Sequence, residues 1–182
     1  MTGLQALGME HNLYIRKSQS TDLLAILAII NEAKLYLAQQ GSSQWQNGYP
    51  NQATIQHDIT LQHSYVLVVN HEIAATFVLQ ETPDANYSQI YAGAWQRADE
   101  AYTTIHRIAI SAKFRQQNLA SHMIHFSIQQ SRNLGFNQLR VDTHEKNRPM
   151  QHLLTKNGFT KVGKVKVLDP LDNERLAFQK LL

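Results

Sequence analysis

Thr104-Ile105-His106-Arg107-Ile108-Ala109-Ile110, followed by Ser111 to Phe114 and then Arg115-Gln116-Gln117-Asn118-Leu119-Ala120-Ser121, is the most informative stretch of the chain. It reads as strand, turn and helix. A strand aims such a turn outward, and at the start of the following helix several backbone N–H groups lack intrahelical partners. With the helix dipole they form an anion site suited to a pyrophosphate. Asn118 is, after glycine, the residue type that best tolerates a left-handed backbone, and Ala120 keeps the first turn open. Behind the turn, Ala120, Met123, Ile124, Ser127, Ile128 and Ser131 recur at helical spacing and mark the face that packs on a sheet.

Working outward, Leu13–Lys17 reads as a first strand, and Ser20 or Thr21 as the cap of a helix carrying Leu23, Leu27, Ile30 and Leu37. Gly41 and Ser42-Ser43 break it, 45–50 forms a loop, and Ala53–His63 makes a second helix. Ser64–Asn70 and Glu72–Glu81 are β-branched, apolar runs joined at Asn70-His71 as an antiparallel hairpin. Thr82–Glu100 is polar and irregular, although Ile90-Tyr91 and Trp95 suggest packing on the sheet. Thr103–Ser111 is the next strand, then helix Leu119–Leu134, strand Gln138–Thr143, helix Asn147–Asn157 and two closing strands from Phe159. The order β-α-α-β-β-β-α-β-α-β-β predicts an α/β (α+β) fold: a mixed, mostly antiparallel twisted sheet of six to seven strands with helices on both faces. One domain over 1–182 is expected, with 1–12 a poorly ordered N-terminal segment.

Composition narrows the function. The 182 residues are 43% hydrophobic and 17% charged, and nineteen Gln and twelve Asn, spread along the chain, supply the remaining polarity. The chain should therefore fold rather than stay disordered. The absence of cysteine excludes disulfides, thiolate metal sites and a cysteine nucleophile. No run approaches the roughly 18–20 apolar residues of a membrane span, and Met1 to Asn12 lacks a signal-peptide pattern, so no membrane partner and a cytoplasmic location are expected. A net charge of +3 suits an anionic ligand but comes without a basic stripe, so no nucleic-acid partner is expected, a nucleic-acid-binding domain being a rival reading that rests on the basic pI alone. His122 and His125 sit three apart on one helix with nothing spaced to complete a site, so no metal is expected. Lys161, Lys164 and Lys166 alternate as on the solvated side of an edge strand.

About thirty residues past the turn comes Val141-Asp142-Thr143-His144, and then Asn147-Arg148-Pro149-Met150-Gln151-His152-Leu153-Leu154-Thr155-Lys156-Asn157-Gly158-Phe159. Together with the turn this resembles the GCN5-related N-acetyltransferase (GNAT) family, over Thr103 to Val162. Asn118 stands where that family usually has glycine, and Leu154 where many members carry a tyrosine that protonates the departing thiolate. The resemblance implies acetyl-CoA as acyl donor and transfer of its acetyl group to a primary amine of a small molecule or peptide, by direct attack in a ternary complex. An acyl-CoA-binding regulatory module with little turnover is the alternative. It also implies that the parallel strands Thr103–Ser111 and Gln138–Thr143 splay apart around the pantetheine. On that basis Ile108, Ala109, Ile110, Arg115, Gln116, Gln117, Asn118, Leu119, Ala120, Ser121, Asn147 and Met150 are the cofactor-binding candidates.

Strand alternation puts Thr104, His106, Ile108 and Ile110 on one face and Ile105, Arg107 and Ala109 on the other, and polar His106-Arg107 between apolar residues suggests a bulge. A freed N–H near Ile108 would then polarise the thioester carbonyl. His106, beside the expected thioester, is the first candidate base, since histidine titrates near neutrality; a histidine within a sheet also serves simply in packing. His144, at the end of the neighbouring strand, is the second, with fixing of the Glu145 to Asn147 turn as its other reading. Asp142 and Glu81 are weaker candidates for the base. Trp45, Tyr49 and Trp95 lie in loops beside the expected opening, where they could line an acceptor pocket or serve as packing anchors; Trp45, Tyr49 and Glu81 are the substrate-contact candidates. The exposed edge at the C-terminus is compatible with a homodimer or with capping by the tail.

Overall fold

The computed structural model describes residues 12–182, so the expectation for 1–12 lies, apart from Asn12, outside the described residues. Chain order is β1 (Leu13–Lys17), a 3-10 turn, α1 (Leu23–Gln39), α2 (Gln52–Thr60), β2 (Ser64–Val69), β3 (Glu72–Gln80), β4 (Ile90–Tyr91), β5 (Thr103–Ile110), α3 (Leu119–Asn133), β6 (Gln138–Thr143), α4 (Arg148–Lys156), β7 (Thr160–Lys166) and β8 (Glu174–Leu181). The strands form one sheet in the order β1-β2-β3-β5-β6-β8-β7-β4. That is eight strands rather than six to seven. The additional one is Ile90–Tyr91, which pairs with β7 through Val165 and Lys164. Its approach needs glycine on both sides: a Cβ on Gly93 would fall 1.9 Å from the Val162 carbonyl oxygen, and one on Gly163 2.9 Å from that of Tyr91.

Apolar residues divide between the two faces as the helices require. One cluster packs Tyr65, Leu67 and Phe77 of β2–β3 with Leu139 and Val141 of β6 under Met123 and Ile124 of α3 and Leu154 of α4. The opposite face packs Val66, Val68 and Ala109 under Ile26, Ile29 and Ile30 of α1 and Ile55 of α2. Farther along that second face the 82–102 segment replaces the helices, with Tyr87 and Trp95 over Val165 and Ala177. Trp95 Nε1 donates to the Tyr87 carbonyl at 3.0 Å.

Several boundaries move for local reasons. α2 stops at Thr60, earlier than the predicted His63, because Gln62 takes a left-handed φ of 59°. α1 is not capped by a Ser20 or Thr21 side chain; Asp22 accepts the Gln19 N–H at 2.7 Å and both guanidinium ends of Arg16 at 2.6 and 3.0 Å. Arg16 foremost, then the Gln19 amide, hold the Asp22 carboxyl below its ordinary value against the opposing push of burial. A depressed folded value means stabilisation that is present above the ordinary carboxylate range and lost as pH falls through the folded value. Asp22→Asn is expected to cost about 1–2 kcal/mol at neutral pH and to flatten that acid dependence, as read from urea midpoints at neutral pH and at about pH 3.

β5 carries the decisive irregularity. Against β3, Val78 faces His106 but Thr76 faces Ala109, so three steps on β5 oppose two on β3, and Arg107 has a φ of 53°. The bulge expected at His106-Arg107 is therefore present, and it overturns the predicted alternation. Thr103 reaches Ser131 of α3, and Ile105 joins the α3 cluster; after the bulge Ile108 and Ile110 join that cluster while Ala109 joins the α1/α2 cluster. His106 and Arg107 thus share the α1/α2 face instead of opposing one another.

Candidate active site

Among the described residues β5 and β6 are the one parallel pair, and their ladder holds only at Thr103–Leu139 and Thr104–Arg140. Beyond it the strands part. The gap opens into a cleft of about 700 Å3 that runs from the α3 turn, past both strands, to the face under the 45–49 loop. Its wall includes Ile108, Ala109 and Ile110 on β5, Arg115, Asn118, Ala120 and Ser121 on the turn, and Asn147 and Met150 on α4.

The turn has the backbone that an anion cradle needs. Asn118 sits at φ 58°, ψ 17° and Gln116 at φ 64°, so two left-handed residues lie two apart at the start of α3. Among the described residues, no acceptor within the protein takes the amides of residues 115–120. Leu119 keeps its side chain in the core at 2% exposure, which anchors the helix start and leaves only its main chain at the turn. Gln116 and Gln117 are exposed and off the cleft wall, whereas Arg115 leans over the Tyr36 ring at 4.6 Å. Asn147 caps α4 by accepting the Met150 N–H at 3.2 Å, and Gly158 at φ 80° lets Phe159 donate back to the Leu154 carbonyl at 3.0 Å. These bonds explain the Asn-x-x-Met and Asn-Gly-Phe signature, and they leave Leu154 fully buried.

On the other side of the gap, His106 Nε2 lies 2.8 Å from Asp84 Oδ2, and both residues line the cleft. Burial pushes the Asp84 carboxyl up, but His106 and the Asn86 amide outweigh it and hold it below its usual range. Arg107 donates to Asp58 Oδ1 at 2.6 Å and to the Tyr49 hydroxyl. Burial works against that guanidinium's charge, and Tyr49 and Asp58 more than restore it. Trp45 and Tyr49 both line the cleft, and so does Asp142, whose Oδ1 accepts the Tyr87 hydroxyl at 2.7 Å. Burial, reinforced by Asp142, keeps that phenol well above its ordinary value.

Two of the catalytic and substrate-contact candidates fall elsewhere. Glu81 is off the wall and Gln80 is on it, a one-residue step past the end of β3. His144 is 1% exposed and off the wall: its Nδ1 accepts the Lys146 N–H at 3.0 Å and its Nε2 meets Asp172 at 2.7 Å. Both ring nitrogens are engaged, so its geometry is that of a turn-fixing residue. Asp84, Tyr87 and Asp58 escaped sequence reasoning, since none belongs to a motif or a periodic run. His122 and His125 are exposed, and the described residues hold no group of three or more metal-ligating side chains. No helix among them is long and apolar enough to cross a membrane.

Comparison with known proteins agrees with this geometry. Residues 30–159 match the model of the "Acetyltransferase (GNAT) family". The chloroplastic GCN5-related N-acetyltransferase 6 of Arabidopsis thaliana is 30% identical over 84 residues, a match spanning 45% of this chain and 29% of that protein. A GNAT-family acetyltransferase from Streptococcus agalactiae superposes with a TM-score of 0.85 at 37% identity, covering 93% of this chain and 95% of that one. A Listeria monocytogenes acetyltransferase of the family, 22% identical with a TM-score of 0.73 over 93% of this chain and 95% of its own, shares the fold. With its family model spanning the bulged strand, the amide-lined turn and α4, the chain belongs to the GNAT acetyltransferase family.

Proposed function

We propose that this protein is an acetyl-CoA-dependent N-acetyltransferase acting on a primary amine of a small molecule or peptide by direct attack in a ternary complex. The observation that carries the reading is the splayed β5–β6 gap ending at a turn whose 115–120 amides have no acceptor among the described residues. Acetyl-CoA fits these residues. The 115–120 amides and Arg115 take the pyrophosphate, the freed edge of β5 from Ile108 to Ile110 takes the pantetheine amides, and the α4 start at Asn147 and Met150 flanks the arm.

When bound, the donor supplies an activated acyl thioester. The Ile108 N–H, released from the β3 ladder by the bulge, polarises its carbonyl, a placement for which one donor is worth on the order of 3 kcal/mol. His106, oriented by Asp84, takes the proton from the incoming ammonium, and Asp142 offers a carboxylate to hold it. Trp45 and Tyr49 border the acceptor's approach.

Incubation with acetyl-CoA and an amine panel is expected to release free CoA only when a suitable amine is present. Tight CoA binding with no release across a broad panel would favour the binding-module alternative instead. In parallel, Asn118→Val should weaken CoA binding about tenfold, because a β-branched residue resists the left-handed φ by roughly 1–2 kcal/mol, whereas Asn118→Gly should preserve it. Equal affinity in both variants would remove the turn from the site.

A further inference from the structure

Four buried side-chain atoms among the described residues lack any hydrogen-bond partner: Asp58 Oδ2, Thr104 Oγ1, Arg107 Nε and Thr143 Oγ1. A buried polar atom without a partner is costly and calls for an explanation. Asp58 Oδ2 and Arg107 Nε belong to the ion pair at the bulge, and Thr104 lies in the regular ladder between Gln80 and Arg140. Thr143 is different: it is fully buried, its hydroxyl is unpaired, and it lines the cleft.

Register fixes where this hydroxyl sits. β6 alternates, with Gln138, Arg140 and Asp142 toward the 82–102 segment and Leu139 and Val141 toward α3 and α4, so Thr143 follows the second set. Carrying the Thr103–Leu139 and Thr104–Arg140 pairing forward places Thr143 across the gap from the Arg107–Ile108 bulge. That is the level at which the Ile108 amide faces the thioester carbonyl in the function proposed above, on which this inference rests. Leu154, deep in the neighbouring core, has no polar atom to offer there.

We propose that Thr143 is a catalytic residue whose hydroxyl donates a hydrogen bond to the sulfur of the acyl donor. As the amine nitrogen forms its bond to the carbonyl carbon, the C–S bond breaks and its electron pair moves to sulfur. Thr143 Oγ–H stabilises that developing charge and keeps its own proton, since an aliphatic hydroxyl is far too weak an acid to give it up. The proton lost by the amine nitrogen ends on the thiol product, which closes the balance.

The test reads the bound thiol directly, without turnover. CoA is saturated onto the protein and its thiol titrated by the ultraviolet absorbance of the thiolate. In the wild type the bound thiol is expected to ionise about one pH unit lower than in Thr143→Val, the size of shift that one hydrogen bond to an anion confers. Thr143→Ser should restore the wild-type titration, and Thr143→Ala should match the valine variant, which separates the hydroxyl from side-chain shape. Identical titrations in wild type and Thr143→Val, both with CoA bound, would overturn the proposal while leaving the transferase reading intact. Failure of the wild type to bind CoA would instead bring down the transferase reading and this inference with it.

Discussion

Replacing His106 with alanine is expected to cut turnover at saturating donor and amine by about 10²- to 10⁴-fold, the range a positioned acid–base group supplies, with CoA affinity unchanged. The expectation rests on the pairing with Asp84. Nε2 faces that carboxylate at 2.8 Å, so a ring that donates from Nε2 to Asp84 leaves Nδ1 as its acceptor atom. Asp84 is held in its ionised form by His106 and the Asn86 amide in spite of its burial, and so it can orient the ring and stabilise the imidazolium after proton transfer. Asp84→Asn should therefore lower the rate less than His106→Ala does, while changing the same limb of the pH–rate profile. An unaltered pH–rate profile in His106→Ala would remove the imidazole as base and leave proton loss to water.

Much of this site was legible because its key parts are local. The left-handed tolerance of Asn118, the cap at Asn147 and the Asn-Gly-Phe helix stop each depend on residues within one turn of chain, so their spacing survives in the sequence. The bulge was legible as well, from two polar residues in an apolar strand, but its consequence was not. A pattern of period two assumes an unbroken strand, and one inserted residue moved Arg107 to the face of His106. Contacts across long separations left no trace. His144 is sealed by Asp172, 28 residues later, and Tyr87 reaches Asp142 across 55 residues from a segment whose position depends on the close Gly93–Val162 approach. Glu81 was a near miss of another kind, since its neighbour Gln80, opposite Thr104, is the last residue of β3 to point along the cleft side.

The Arg107–Asp58 pair bears the largest stability expectation. The two side chains are 12% and 7% exposed and meet at 2.6 Å, yet Arg107 Nε and Asp58 Oδ2 are left without partners. The pair is thus held by a single strong contact rather than a two-pronged fork, and the desolvation of both charges is only partly offset. Asp58→Ala should then cost about 3–5 kcal/mol in urea unfolding, because it strands a buried guanidinium. Removing both charges in Asp58→Leu with Arg107→Met should recover most of that loss, since packed apolar groups replace a buried pair at little cost. If the single variant lost less than about 1 kcal/mol, the pair would be behaving as a solvent-screened surface contact and the burial assigned to it would be wrong. The same variants separate stability from geometry. Arg107 also donates to the Tyr49 hydroxyl and carries the bulge at a φ of 53°, so the double variant, stable but without its tie to Tyr49, should raise KM for the amine while binding CoA normally. That split would mark the pair as what joins the acceptor loop to β5, a role that accounts for an incompletely satisfied charge pair at this point in the sheet.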